Sequence, residues 1–133
     1  MVGAILVALC APARAEPIER SRITVKDADT IRLAGDRVNT RLAGFDAPET
    51  GPPDARCDAE KERGERARRR LVELLDGGAI DISYLPGVDR YGRRLAYLRV
   101  DGEDVGAILI RERLAVPYSG RGPKMDWYPR RRR

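Results

Sequence analysis

Residues 27–50 read DADTIRLAGDRVNTRLAGFDAPET, with Asp27 and Asp29 at the head, Arg41 in the middle, and Asp46 and Glu49 near the end. Carboxylates gathered around one arginine supply hard oxygen donors for a metal ion, beside a cation that can bind phosphate. Histidine is absent. That removes Ser-His-Asp and Cys-His catalysis and most zinc chemistry, so catalysis here would rest on carboxylates, Arg, Lys, Tyr or an oxygen-bound metal. Taken singly, each residue has a plainer role: Asp29 or Asp46 in a turn, Arg41 as a surface charge on a strand, Asp27 as a supporting carboxylate at the start of one. The functional reading rests on their being brought together.

The elements that would do so are legible as short alternating runs. Residues 30–33 and 38–42 flank 34–37, which contains a Gly-Asp turn, and together they predict a β-hairpin. Residues 23–25 predict a strand leading into it. Pro52 and Pro53 interrupt strand pairing, and residues 56–76 predict the long helix, with Glu60, Gly64, Ala67, Leu71 and Leu74 on one face. Glycine inside a helix costs about 1 kcal/mol relative to alanine, so Gly64 implies a close approach by a neighbouring element. Arg63, Arg66, Arg68, Arg69 and Arg70 crowd the other faces, where pairing with Glu62, Glu65 and Glu73 predicts a solvated surface. Residues 79–84 predict a fourth strand, 86–89 a turn, and 91–100 the approach to a fifth strand and the strand itself. Asp104 is placed to cap a short helix carrying Val105, Ile108 and Leu109 inward. Beyond Tyr118, glycine and proline predict no firm structure. Five short strands with a helix between the third and fourth form the order of an OB-fold barrel.

At 133 residues the chain is the size of one domain. One Trp and one Phe leave its core to Leu, Ile, Val and Ala. The net charge is +5, but Arg14 and the arginines at 130–133 carry that excess and leave the body close to neutral. The basic end can attract nucleic acid or anionic lipid in a salt-dependent way, or simply be a solvated end. Residues 2–13 are apolar and run into Ala13-Arg14-Ala15, the form of a cleaved secretory signal peptide. The charged region that usually precedes such a run is missing, which leaves open a start upstream of Met1. A lipoprotein site at Cys10 is disfavoured by Leu9 before it. Export leaves Cys57 as the one cysteine of the mature chain, with no intrachain disulfide expected.

Several motifs resemble the staphylococcal nuclease (thermonuclease) family. They are Asp27-x-Asp29-Thr30, Arg41-Leu42-x-x-x-Asp46-x-Pro48-Glu49, Glu60-x-x-x-Gly64-x-x-Ala67, Asp89-x-Tyr91-Gly92-Arg93-x-Leu95-Ala96-Tyr97, and Leu114-Ala115, in that order. The resemblance covers roughly residues 23–118. It implies an α+β, mainly β fold: a five-stranded OB-fold barrel with one long and one short helix, the family's third helix being absent. The domain plan is then a signal peptide at 1–15, a linker at 16–21, the nuclease-like domain at 22–118 and a basic tail at 119–133.

The resemblance further implies Ca²⁺ ligands at Asp29 and Asp46 and at the main-chain carbonyl of Ala47. Glu49 would orient or deprotonate the attacking water, and Arg41 and Arg93 would hold the scissile phosphate. Arg90 and Tyr91 would contact the neighbouring phosphate, and Tyr118 would stack on a nucleotide. Oxygen-only ligands favour Ca²⁺ or Mg²⁺ over zinc, and calcium's flexible shell suits this set better than magnesium's strict octahedron. The expected activity is exported, calcium-dependent hydrolysis of DNA and RNA to 3′-phosphate ends by a monomer without a stable membrane partner. Two other readings compete: a non-catalytic nuclease-like OB module that binds nucleic acid or protein, and an oligosaccharide-binding OB domain, which the sparse aromatics disfavour. Two departures from the family pattern stand out. Ala28 occupies a position commonly Gly, so its turn must avoid a strained φ, and Arg113 replaces a common Gly before Leu-Ala.

Overall fold

The computed structural model describes residues 14–51, 58–125 and 127. The expected signal peptide apart from its last two residues, Cys10, Cys57 and the arginines at 130–133 lie outside them. The long strands are β2 (Ile23–Asp27), β3 (Thr30–Leu33), β4 (Thr40–Leu42), β6 (Ile80–Val88) and β7 (Arg94–Val100). Two-residue strands add β1 (Glu16–Pro17), β5 (Phe45–Asp46), β8 (Glu103–Asp104) and β9 (Val116–Pro117). The main sheet runs β1-β6-β7-β4-β3-β2, with β8 beside β7, while β5 and β9 pair separately. All pairings are antiparallel except β4 with β7, which sets Arg41 beside Leu95. With helices α1 (Asp58–Asp76) and α2 (Val105–Arg111), this is the mainly β, α+β, OB-like architecture that the sequence predicts.

Alternation explains the strands. Ile31 and Leu33 of β3, Leu42 of β4, and Leu98 and Val100 of β7 point into one core with Phe45. Helix α1 covers that core with Ala67, Leu71 and Leu75, all buried. Each buried leucine contributes about 1.5–3 kcal/mol. Outward, Arg68 pairs with Glu65, and Arg70 with Glu73 and Glu112, the solvated arginine surface expected. Asp104 caps α2, its side chain accepting a bond from the Ala107 N–H at 3.0 Å, an interaction typically worth about 1 kcal/mol.

Several local details differ from the expectation or refine it. Glu16–Pro17, in the stretch expected as linker, pairs with β6. Residues 86–88, expected as a turn, continue β6 through an irregularity between Tyr84 and Val88. Pro86 lacks an N–H and Gly87 takes φ +78°, so the strand bulges instead of ending. The chain reverses at the next loop, where the Gly92 N–H bonds the Asp89 carbonyl at 3.0 Å. Ala28 is fully buried without a positive φ, whereas Arg113 does take one, +61°. Residues 119–125 and Trp127 form neither helix nor strand.

Candidate active site

The hairpin does what its charge pattern suggested. Pairing of Thr30 with Arg41 across β3 and β4 brings the arginine beside the β2–β3 turn that carries Asp29. Arg41 Nη1 lies 3.2 Å from Asp29 Oδ2, and Nη2 lies 3.5 Å from Asp46 Oδ1. All three residues are buried. Arg41 also donates to the carbonyls of Asp29 and Leu42 through Nη1 and of Phe45 through Nη2. It is therefore a pillar that ties the β2–β3 turn, β4 and β5 together as well as a cation among acids. Asp29 accepts further bonds from Thr30 Oγ1 at 3.0 Å and from the Ala47 N–H at 2.9 Å. Burial pushes its carboxyl above the ordinary aspartate range, against the pull of Arg41 and the Ala47 N–H.

Above this floor opens a cleft of about 550 Å³, lined by Asp29, Arg41, Glu49, Tyr91 and Arg93 among others. Burial, then the charges of Asp29 and Asp27 and a hydrogen bond with Asp27, push the Glu49 carboxyl up to about 8, while Lys124 draws it down. Asp27 is itself fixed by the Thr50 hydroxyl at 2.6 Å. Gly64 sets where Glu49 sits. A Cβ on this helix residue would fall 2.7 Å from the Pro48 carbonyl oxygen and collide with the main chain of Glu49. This is the close approach that a mid-helix glycine predicted, and the partner is the strand-to-helix segment carrying the site.

The β6–β7 loop also lines the cleft and presents Arg93. Asp89 accepts from the Tyr91 and Arg93 N–H groups, each at 2.9 Å, and from Arg93 Nε at 2.7 Å. Partial burial pushes the Asp89 carboxyl up, but the bonds from Arg93 and Tyr91 outweigh it and hold the group below its ordinary value. With Nε so engaged, no hydrogen bond among the described residues occupies the two terminal nitrogens of Arg93. The guanidinium packs over the exposed Tyr91 ring at 5.4 Å, and that of Arg90 lies 5.5 Å from the same ring.

Of the residues singled out in the sequence, Asp29, Arg41, Glu49, Tyr91 and Arg93 share the cleft. Asp46 and Ala47 lie against its floor through their bonds to Arg41 and Asp29. Arg90 and Tyr118 do not line the cleft, and the Tyr118 hydroxyl bonds the Gly122 carbonyl at 3.1 Å. Two residues without an expected role also reach the site. Lys124 Nζ lies 3.6 Å from Asp46 Oδ1, and Trp127 Nε1 donates to Asp46 Oδ2 at 3.4 Å. Nothing local in the Pro- and Gly-containing tail signals that approach.

The donor set fits a hard divalent cation. Asp29 and Asp46 offer buried carboxylate oxygens, and Glu49, pushed up first by burial and then by the charges of Asp29 and Asp27, would be eased by a cation beside it. Among the described residues, no three acidic, His or Cys side chains converge tightly enough to hold an ion alone. A main-chain carbonyl such as that of Ala47, with water, would have to complete the shell, as calcium's flexible coordination allows.

The sequence also matches known proteins. The chain is 37% identical over 93 residues to Endonuclease YncB of Bacillus subtilis, a match covering 67% of this chain and 43% of that protein. It is equally identical over 93 residues to the SPbeta prophage-derived endonuclease YokF of the same organism, covering 67% of this chain and 30% of that protein. The matched region thus spans less than half the length of these relatives. The family described as Staphylococcal nuclease homologue matches residues 39–130, the greater part of the chain, and with the fold around the Asp29–Arg41–Asp46 floor this places the protein in the staphylococcal nuclease family.

Proposed function

We propose that the chain is an exported, calcium-dependent nuclease that hydrolyses DNA and RNA with little sugar or sequence preference and leaves 3′-phosphate ends. The observation that carries this reading is one cleft lined by Glu49, Asp29, Arg41 and Arg93, whose terminal nitrogens are unengaged among the described residues. Asp29, Asp46 and the Ala47 carbonyl would hold the cation. Bound there, a divalent ion supplies positive charge against the anionic charge that grows during phosphodiester hydrolysis. Export rests on the apolar run at residues 2–13 and the Ala13-Arg14-Ala15 pattern.

The side chains then divide the work. Arg93 grips non-bridging phosphate oxygens with its terminal nitrogens, aimed by the bond that its Nε donates to Asp89. Arg41 adds positive charge from the floor, where its protein partners already fix it and little reorganisation is needed. Glu49, as the carboxylate, takes a proton from the attacking water while oxygen bonds to phosphorus. The bond from phosphorus to the 5′ oxygen breaks opposite the incoming water, and that oxygen is protonated from solvent. The raised affinity of Glu49 for a proton makes it a stronger base than an ordinary glutamate once it is ionised. Tyr91 offers its exposed ring to the nucleotide flanking the cut.

Single-stranded DNA and RNA incubated with the purified chain in Ca²⁺, in Mg²⁺ and in chelator test the reading, with Glu49→Ala beside them. Cleavage in calcium that vanishes with chelator and with the variant is the expected outcome, and end-group analysis should find 3′-phosphates. Binding without cleavage in either metal would overturn it in favour of a non-catalytic OB module.

A further inference from the structure

The cleft holds more positive charge than the reaction uses. Besides Arg41 and Arg93, its walls carry Lys26, Arg32 and Lys124. Lys124 is paired with Asp46, but among the described residues no acid pairs with Lys26 or Arg32. Arg32 is nonetheless held in place, since its Nε donates to Asn39 Oδ1 at 2.8 Å. A neutral amide steadies the guanidinium without cancelling its charge. Arginine fixed in this way is suited to an anionic ligand more than to the fold.

The strand register says which anion. Thr30 lies opposite Arg41, and Ile31 opposite Thr40, so Arg32 and Asn39 stand on the next rung of the same ladder. Ile31 and Leu33 are buried in the core, and alternation therefore turns Thr30 and Arg32 to the cleft face with Asn39 and Arg41. Two strand residues cover about 6.6 Å, a step comparable to the interval between successive phosphates of an extended polynucleotide. Lys26, at the irregularity of β2 between Val25 and Asp27, brings to the same cleft a second cation with no acidic partner among the described residues.

We propose that Arg32, steadied by Asn39, and Lys26 form a second phosphate subsite. It binds the phosphodiester adjacent to the scissile one and makes the cleft favour polynucleotides over dinucleotides. The inference rests on the nuclease reading of the cleft, and the test separates the two. Rates on a DNA dinucleotide and octanucleotide in calcium are compared for the wild-type chain, Arg32→Gln, Lys26→Gln and Arg32→Lys. Binding of a labelled octanucleotide in chelator is followed by fluorescence anisotropy over a range of salt.

Arg32→Gln is expected to shrink the octanucleotide-to-dinucleotide ratio of kcat/KM about tenfold, as removal of one charge-assisted hydrogen bond would. The slope of log affinity against log salt should become shallower by about 0.7 for each phosphate that is no longer neutralised. Arg32→Lys should keep most of that slope, and Lys26→Gln should show the same pattern more weakly. An unchanged ratio, or an equal fall on both substrates with the salt slope intact, would overturn the subsite. Wild-type binding with an Arg32-dependent slope but no cleavage would instead sink the nuclease reading and leave the subsite standing.

Discussion

The floor and the rim of the cleft are built on opposite plans. On the floor, Asp29, Arg41 and Asp46 are almost wholly buried, and their bonds join distant parts of the chain. Asp29 reaches Ala47, and Arg41 reaches the main chain of three other residues. At the rim, Asp89, Tyr91 and Arg93 are bonded chiefly to one another inside one short loop, and Tyr91 is 70% exposed. Floor residues thus hold the fold and the charge at once, while rim residues hold only their own aim. Perturbing the two should separate stability from rate.

The largest separation is expected from a pair of alanine variants. Arg41→Ala leaves two buried carboxylates without their shared cation and removes one donor from each of three carbonyls. Breaking a buried pair typically costs about 3–5 kcal/mol, so chemical denaturation should show a large drop in stability along with abolished cleavage. Arg93→Ala removes a cation that offsets developing charge, a change worth about 100- to 1,000-fold in rate. Its denaturation midpoint should move little, because the Asp89 ion pair is partly exposed. Equal stability losses in the two variants would break the comparison.

Gly64→Ala tests how firmly the floor is set from outside. The added methyl meets the Pro48–Glu49 main chain, which cannot swing away as a flexible side chain would. Either α1 or the segment carrying Glu49 must shift, costing about 1–3 kcal/mol as overpacking does. Cleavage should fall beyond what the reduced stability explains, since even small displacements of a catalytic base are costly. Retention of full activity at reduced stability would show that Glu49 does not depend on this packing.

Glu49 links the two properties through pH. Its carboxyl titrates near 8 in the folded chain against an ordinary 4.5. Between those values the folded state binds the extra proton, so in chelator stability should fall as pH rises across the window. Glu49→Gln should flatten that dependence while abolishing cleavage. A variant whose thermal midpoint keeps the wild-type pH profile would mean that another group carries the effect.

The parts of this design written in local sequence were legible. Alternation marked β2, β3 and the first part of β6, helical spacing marked α1, and Asp104 and Gly64 declared a cap and a close approach. The segment at Pro86-Gly87 was not, because residues that bend a strand do not say whether it resumes. Long-range geometry was legible only through the family motifs. No periodicity predicts that β4 lies parallel to β7, or that Lys124 and Trp127 return to Asp46. Those pairings depend on how separate elements close on one core. Arg32 was hidden for the opposite reason: in a hairpin it reads as an ordinary outward charge until the ladder shows which face the cleft occupies.

The smallest expected effect supplies the reference for the others. Arg113 ends α2 with φ +61°, and the Leu114 N–H reaches back to the Leu109 carbonyl at 2.8 Å, a helix stop that favours glycine. A side chain there costs about 1 kcal/mol relative to glycine. Arg113→Gly should therefore raise the unfolding free energy by about that amount, offset slightly by the greater freedom of glycine in the unfolded chain. Arg113 belongs to neither floor nor rim, so cleavage measured well below the melting temperature should not change. If the rate rose with stability, part of the deficit in Arg41→Ala would reflect a smaller folded population, and the contrast between floor and rim would have to be corrected for it. An unchanged rate lets the floor's deficits be read as charge and geometry at the site itself.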